Sequence, residues 1–358
     1  MTVYGRRPGA CSLLLLGVLA LAGLGLLAPL ARSARAAHEG RAVRGRHAAR
    51  GGHPLPPRAV ASIVGGASTS IARFPFQVAL YNPHAGSPAA GFFCGGVIID
   101  ATHVVTAAHC IDAGARGRVG PLDEIEVLAG STNLSPTDPG SVRDPLTGES
   151  FDSSYNPVTN NLDVALLTLA RPLWSGPPPS IDGVNKIAPL PVEREQAAVS
   201  TELQAGQPVV ATVSGWGDVD PAPTDGPGYP NALQSVRVPL VSEALCGEDY
   251  AGIEQTITPS MLCAGGSRPR TDSCYGDSGG PLVVDRDTPA EPPGDYVLAG
   301  LVDFGNGCAQ PGYPGVYTRI ASPEVVNFLA AGLGHKARLA AKQSRKKRRR
   351  RGRPHPHH

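Results

Sequence analysis

Long apolar runs are missing from most of this chain. Beyond the first thirty residues, no stretch is long and apolar enough to cross a membrane as a helix. Aromatic residues are few, at 5% of 358. Glycine (44) and proline (36) are abundant instead, which favours many short strands and turns over long helices. No two cysteines form a CxxC hook, which argues against a zinc site. Acids are nearly absent from both ends. Residues 1–62 carry nine Lys/Arg against Glu39 alone, and residues 335–358 carry eleven Lys/Arg and no acid.

What remains is an acidic body. Residues 63–334 hold 12 Lys/Arg and 29 Asp/Glu, a net charge of −17 hidden by the overall +2. That charge argues against a nucleic-acid-binding fold and leaves only the tail as a route to polyanions. The N-terminus has the features of a secretory signal. Arg6 and Arg7 give a positive start, Leu13 to Leu27 an apolar run, and Ala34-Arg35-Ala36 the small residues a signal peptidase reads. Cleavage after Ala36 and export are expected. An uncleaved anchor is the alternative, but the run is short of the ~20 residues that a span needs. Cys11 leaves with the signal. Cys94, Cys110, Cys246, Cys263, Cys274 and Cys308 remain, an even count that implies disulfides in an exported chain. Spacing leaves all fifteen pairings open.

Residues 37–62, rich in Ala, Arg, Gly and Pro without apolar periodicity, are expected to be disordered. From Ile63 the character changes. Short β-branched or aromatic runs at 74–81, 92–99, 104–107, 125–129, 164–169, 209–214, 296–302 and 315–320 are separated by turn residues. They predict an all-β sandwich or barrel. Pro/Gly-rich insertions at 82–90, 135–157, 174–180 and 219–230 are expected to be surface loops. One helix is expected near the end: Ser322 suits the N-cap, Pro323 the first turn, and Val325, Leu329 and Leu333 one apolar face.

The strongest chemical signal is Gly276-Asp277-Ser278-Gly279-Gly280-Pro281. A serine hydroxyl needs a base beside it to attack, and backbone N–H groups to hold the oxyanion that forms. Flanking glycines let the chain turn sharply enough to present them. An ordinary glycine turn is the structural alternative. The string also fits the G-x-S-x-G elbow of α/β-hydrolases. That fold needs its histidine after the serine. Here the later histidines are His335, His355, His357 and His358, near or in the basic tail. The base must come from upstream, where the body offers His84, His103 and His109. The order is therefore His, Asp, Ser.

Six strings in order then resemble the chymotrypsin/trypsin family across residues 63 to about 333. They are Ile63-Val64-Gly65-Gly66, Thr106-Ala107-Ala108-His109-Cys110, Asn161-Leu162-Asp163-Val164-Ala165-Leu166-Leu167, Ser214-Gly215-Trp216-Gly217, the serine string, and Gly315-Val316-Tyr317-Thr318-Arg319. The resemblance implies two six-stranded antiparallel β-barrels with a C-terminal helix, and a serine endopeptidase working through an acyl-enzyme. It implies Ser278 as nucleophile, His109 as base and Asp163 as its orienting acid, with the N–H groups of Gly276 and Ser278 as oxyanion hole. His103 is assigned no role. The resemblance also implies the pairings Cys94–Cys110, Cys246–Cys263 and Cys274–Cys308. It makes residues 37–62 a propeptide whose removal frees the Ile63 amine to pair with Asp277. Ser62, not Arg or Lys, precedes Ile63, so another protease makes this cut, or trimming follows a cut at Arg58.

Asp272, six residues before Ser278, matches the acid at the base of the trypsin-like specificity pocket, and Ser273, Tyr250, Gly305 and Gly315 fit the same pattern. Cleavage of protein or peptide substrates after Arg or Lys is the implied activity. Two departures stand out. Asp303 occupies a position where the family usually has a serine, beside the catalytic acid, which implies altered pH dependence or reduced activity. Ser131 occupies a position where calcium-binding trypsins have glutamate, so no calcium site is expected there, nor any other metal or cofactor. The tail, 335–358, is expected to be disordered, to meet an anionic surface or the acidic body, or to be trimmed by the enzyme itself. Taken together, residues 1–36 read as signal, 37–62 as propeptide, 63–334 as protease domain and 335–358 as tail of a secreted, monomeric zymogen. The rival reading is an inactive homologue acting as a binding module. High Ala, Gly, Pro and Arg hint at a bacterial source.

Overall fold

Frequent glycine and proline breaks leave room only for short strands, and these close into rings. A computed structural model of the chain describes residues 63–112, 122–192, 208–220, 228–253, 255–266, 271–286 and 296–334. The expected signal, propeptide and basic tail lie outside them.

The first ring is built from β2 (Gln77–Tyr81), β3 (Phe92–Ile98), β4 (His103–Thr106), β5 (Glu126–Ala129), β6 (Val142–Phe151) and β7 (Ala165–Leu169), closed in the order β2-β3-β4-β7-β6-β5. The second uses β8 (Val210–Gly215), β9 (Gln234–Val241), β10 (Met261–Ala264), β11 (Pro281–Asp285), β12 (Tyr296–Phe304) and β13 (Gly315–Arg319). Its order is β9-β10-β13-β12-β11-β8, and pairing of β8 with β9 closes it; the two-residue β1 (Ala67–Ser68) adds to β9. All pairings are antiparallel. The two six-stranded barrels implied by the family strings are therefore present.

Alternation explains why these strands fold as they do. In β9, Gln234, Val236, Val238 and Leu240 face in, while Arg237 faces water. Each barrel has its own apolar interior: Val78, Leu80, Ile98 and Val104 in the first, Val213, Val238, Leu282 and Tyr317 in the second. A third apolar cluster draws on both, with Phe74, Phe76, Phe92 and Trp216 among its members. A buried polar link crosses the same seam: Ser214 Oγ donates to Gln77 Oε1 at 2.7 Å.

The final helix, α3 in chain order after α1 (Pro88–Gly91) and α2 (Glu243–Tyr250), runs Pro323–Gly332. Ser322 caps it by accepting from Val325 N, and Val325 and Leu329 are buried. The expectation of a loop over 135–157 is corrected. Much of it is β6, which the composition disguised: Pro145 and Gly148 interrupt the strand, its register shifts between Leu146 and Gly148, and only Asp144 and Leu146 are buried. The 82–90 segment likewise holds a short 3₁₀ turn and the start of α1. The 174–180 segment is an irregular, largely exposed stretch.

Candidate active site

Strand pairing places the histidine and the acid together. Thr106 at the end of β4 faces Ala165 at the start of β7. The 3₁₀ turn after β4 carries His109, and the residues just before β7 carry Asp163. The Cys94–Cys110 disulfide fastens that turn to β3. Asp163 is fully buried and accepts two bonds from His109, from its backbone N at 2.8 Å and from Nδ1 at 2.5 Å. Thr318 Oγ1 donates to the Asp163 carbonyl at 2.7 Å, anchoring it to the second barrel. Burial by itself would raise the Asp163 carboxyl, but the adjacent His109 charge and bonds hold it below the usual range. Burial would lower His109, and Asp163 outweighs it, so the imidazole is held above its ordinary value. His109 Nδ1 thus has a fixed partner, which leaves Nε2 to face a nucleophile.

Ser278 sits in the turn between β10 and β11. Gly276 has φ 92°, and a Cβ there would stand 2.7 Å from the Tyr229 ring. Gly279 has φ 73°, and a Cβ there would meet Thr106 Oγ1 at 2.1 Å. Only glycine satisfies both the conformation and the close approach. The turn is pinned to the first barrel by Gly95 N donating to Ser278 O at 2.8 Å, and to β12 by Gly279 N donating to Val302 O at 2.8 Å. Ser278 lines a cavity of about 200 Å³ and His109 one of about 330 Å³; the two share Asp303, Phe304 and Gly305 as a common wall.

The cavity beside Ser278 gathers Asp272, Ser273, Gly305 and Gly315. Asp272 is 1% exposed. Its Oδ2 accepts from Ala309 N at 2.8 Å, while its buried Oδ1 has no hydrogen-bond partner among the described residues. Burial pushes this carboxyl up to about 7, against the N–H bonds from Ala309 and Ser273. A Cβ on Gly315 would stand 2.6 Å from that Oδ1, so this glycine keeps the floor open. Ser273 Oγ and Tyr317 Oη are 3.1 Å apart beside it. Tyr250 stands behind the wall, where its hydroxyl donates to Pro314 O at 2.7 Å. The Cys274–Cys308 disulfide joins the nucleophile turn to the far wall. The third disulfide, Cys246–Cys263, ties α2 to β10. All three pairings are the ones the family strings implied.

Asp277 is fully buried and accepts from Gly217 N and Cys274 N, each at 2.9 Å. Burial, with some repulsion from Asp218, pushes it up to about 7. Ile63 is fully buried in the interior of the second barrel. Ser131, also buried, donates to Asn133 O and accepts from Asp138 N, each at 2.7 Å. His103 is bonded through Nδ1 to Asp100 at 2.8 Å, away from the site.

Three neighbours were not singled out from sequence. Asn160 Nδ2 donates to Asp303 Oδ1 at 2.9 Å. The Tyr155 hydroxyl is buried near Asp163 and Asp303 without a hydrogen-bond partner among the described residues. Tyr229, at the end of the 219–230 insertion, packs edge-on against Phe92 at 5.2 Å instead of facing water. Asn160 does carry a signal in hindsight: it adopts φ 55°, a conformation asparagine tolerates better than most residues. Asp303 itself is 4% exposed, and burial together with the Asp163 charge holds its carboxyl well above the usual range.

Comparison with known proteins agrees with this geometry. Residues 63–328 match the trypsin family. Vitellin-degrading protease of Bombyx mori is 34% identical over 273 residues, covering 75% of this chain and 85% of that protein. Trypsin-1 of Astacus astacus is 33% identical over 263 residues, covering 72% of this chain and 95% of that one. Trypsin of Sus scrofa is 32% identical over 260 residues, with 73% and 91% covered. These relatives are animal proteins, so the bacterial source hinted at by composition finds no support. Among the described residues, no helix is long and apolar enough to cross a membrane.

Proposed function

The chain belongs to the trypsin family and is a serine endopeptidase, and on that footing we propose that it cleaves proteins after Arg and Lys, using His109, Asp163 and Ser278. The observation that carries the specificity is the unpartnered Oδ1 of Asp272, buried in the cavity that Ser278 lines. A buried carboxylate oxygen without a donor is costly, and a guanidinium or ammonium group from the substrate supplies one. An apolar side chain leaves it unpaired, which is the basis of discrimination.

In this reading the Ser278 hydroxyl attacks the scissile carbonyl while His109 Nε2 takes its proton. The N–H groups of Gly276 and Ser278 hold the oxyanion. His109 returns the proton to the leaving amine, and the acyl-enzyme is hydrolysed by the same steps run with water. Asp163 keeps the imidazole in the tautomer with Nδ1 protonated and stabilises its charged form. The protein is exported through residues 1–36 and held inactive by residues 37–62. Freeing the Ile63 amine supplies an ammonium group for Asp277, whose buried charge otherwise has, among the described residues, the two N–H partners Gly217 and Cys274 to offset it.

The test uses the full chain carrying, ahead of Ile63, a cleavage site for a protease of unrelated specificity. After release, an Arg-anilide is expected to be hydrolysed and a Phe-anilide not. The released Ser278→Ala control is expected to lose about 10⁶-fold in kcat. Equal rates on both anilides would show that Asp272 does not select the cation, and no turnover by folded, released protein would remove the triad.

A further inference from the structure

Two acids that are not partners by charge meet at the wall between the cavities. His109, Asp163 and Asp303 each bring a ligating atom within 4.8 Å of the others. Both acids are buried, Asp163 completely and Asp303 at 4% exposure. Asp163 already takes two bonds from His109. Asp303 takes one, on Oδ1 from Asn160, while its buried Oδ2 has no hydrogen-bond partner among the described residues. The other titratable groups facing the pair do not neutralise it. Tyr155 from the loop before β7 is a neutral phenol, and Asp272, across the cavity that Asp303 also lines, is a further acid. Among the described residues no Lys or Arg is ion-paired to Asp163 or Asp303.

Two carboxylates so close cannot both be ionised out of water. A cation is the other way to reconcile them, but His109 Nδ1 and Asp163 Oδ2 stand at 2.5 Å. Two ligands of one metal ion, each bonded at about 2.0–2.2 Å, sit roughly 3 Å or more apart. The spacing between these atoms is that of a shared proton. Of the two acids, Asp163 faces the imidazolium and keeps its charge.

We propose that Asp303 works as a neutral carboxylic acid, its Oδ2 hydrogen donated to the Asp163 carboxylate. It is a positioning residue: it touches no reacting atom and acts through Asp163, holding that carboxylate toward His109. Asp303 stands where the family usually has a serine, and the donor it supplies, unlike a hydroxyl, titrates. The inference rests on the reading of this chain as a protease that uses the His109, Asp163 and Ser278 triad. As pH rises far enough to strip this proton, a second negative charge appears beside Asp163. The hydrogen bond becomes a repulsion, and the imidazole loses its alignment.

The experiment has two arms on the same full-length chain carrying the inserted cleavage site. Infrared difference spectra of parent against Asp303→Ser and Asp303→Asn at neutral pH read the carbonyl stretch of a protonated acid, with no turnover needed. Parent is expected to show one such band that both variants lack. After release of Ile63, kcat/KM is followed against pH. Parent is expected to show an alkaline decline that both variants lose, while at neutral pH each stays within about tenfold of parent, since each still offers a neutral donor. No loss of acid carbonyl intensity relative to parent in either variant, once the bands of Asp272 and Asp277 have cancelled in the difference, or an alkaline limb unchanged in both, overturns the proposal. Labelling by a serine-directed phosphonate separates the two layers. Failure of folded, released parent to be labelled counts against Ser278 as nucleophile, whatever the infrared spectrum shows.

Discussion

At the scale of single residues, the site is a collection of buried acids, each settled by a different neighbour. Asp163 is held ionised by His109, while Asp272 and Asp277 are pushed up to about 7 by burial. For Asp272 this has a kinetic consequence. The acid must be ionised to pair with a cationic side chain, so kcat/KM for an Arg-anilide is expected to rise with pH through about 7, and an inhibitor of the same charge to bind tighter over the same interval. Asp272→Asn is expected to lose about 10⁴-fold in kcat/KM on Arg substrates, because the amide no longer matches the cation. Measurement of KM and kcat separately over pH 5 to 9 checks both. Of these acids, Asp272 and Asp277 were identifiable from their spacing to Ser278 in the family pattern. Asp303 was visible as a departure, but its partners were not. Asn160 lies 143 positions away in sequence, and nothing in a one-dimensional pattern brings the two together.

Elements tell a similar story about what a sequence discloses. Strands with continuous apolar runs, such as β4 and β7, were legible because that continuity matches burial on one or both faces. The strand β6 was not, since Pro145 and Gly148 give it the composition of a loop and tertiary pairing with β5 and β7 makes it a strand. Strands β9, β10 and β11 also went unassigned. They are short or carry polar residues such as Gln234 and Arg237, and some of their pairings, β10 with β13 and β11 with β8, join strands distant in the chain. The helix α3 was legible because its start is chemical, with Ser322 and Pro323 adjacent. Ser322→Ala is expected to cost about 1 kcal/mol in unfolding free energy, read by denaturant titration, with kcat unchanged. Gly279→Ala is expected to do the reverse of a mild change. Its methyl would meet Thr106 Oγ1 in a backbone conformation alanine avoids. The barrels must then part locally, so activity is expected to fall further than thermal stability does.

At the largest scale, the described residues form two closed rings meeting at a seam, with His109 and Asp163 on one side and Ser278 and Asp272 on the other. The stability of this fold carries the signature of the raised acids. A carboxyl whose folded value lies above its unfolded value stabilises the fold below the unfolded value, and that contribution is lost as pH rises through the folded one. The uncut chain is therefore expected to lose stability, by a few kcal/mol, as pH rises from about 4 to above 7. After release of Ile63 the Asp277 share of this loss is expected to shrink, because a charged partner then favours its ionised form. Melting temperatures of cut and uncut protein across that range check the sign.

If cleavage follows Arg and Lys as proposed, every copy of the protein is also a candidate substrate for the others. Residues 63–334 hold only 12 such side chains. Arg143, Arg237 and Arg319 lie within strands of the two rings, and Arg171 is followed by proline and paired with Asp144 at 2.7 Å. A peptide bond must be drawn out as a free extended segment before it can be cut, and a rung of a closed barrel cannot be drawn out without opening the ring. Self-digestion is thereby diverted away from the barrels toward exposed connections. The architecture that assembles the blade also decides where it can turn on its owner, and fragment masses from an ageing sample will trace that protected outline.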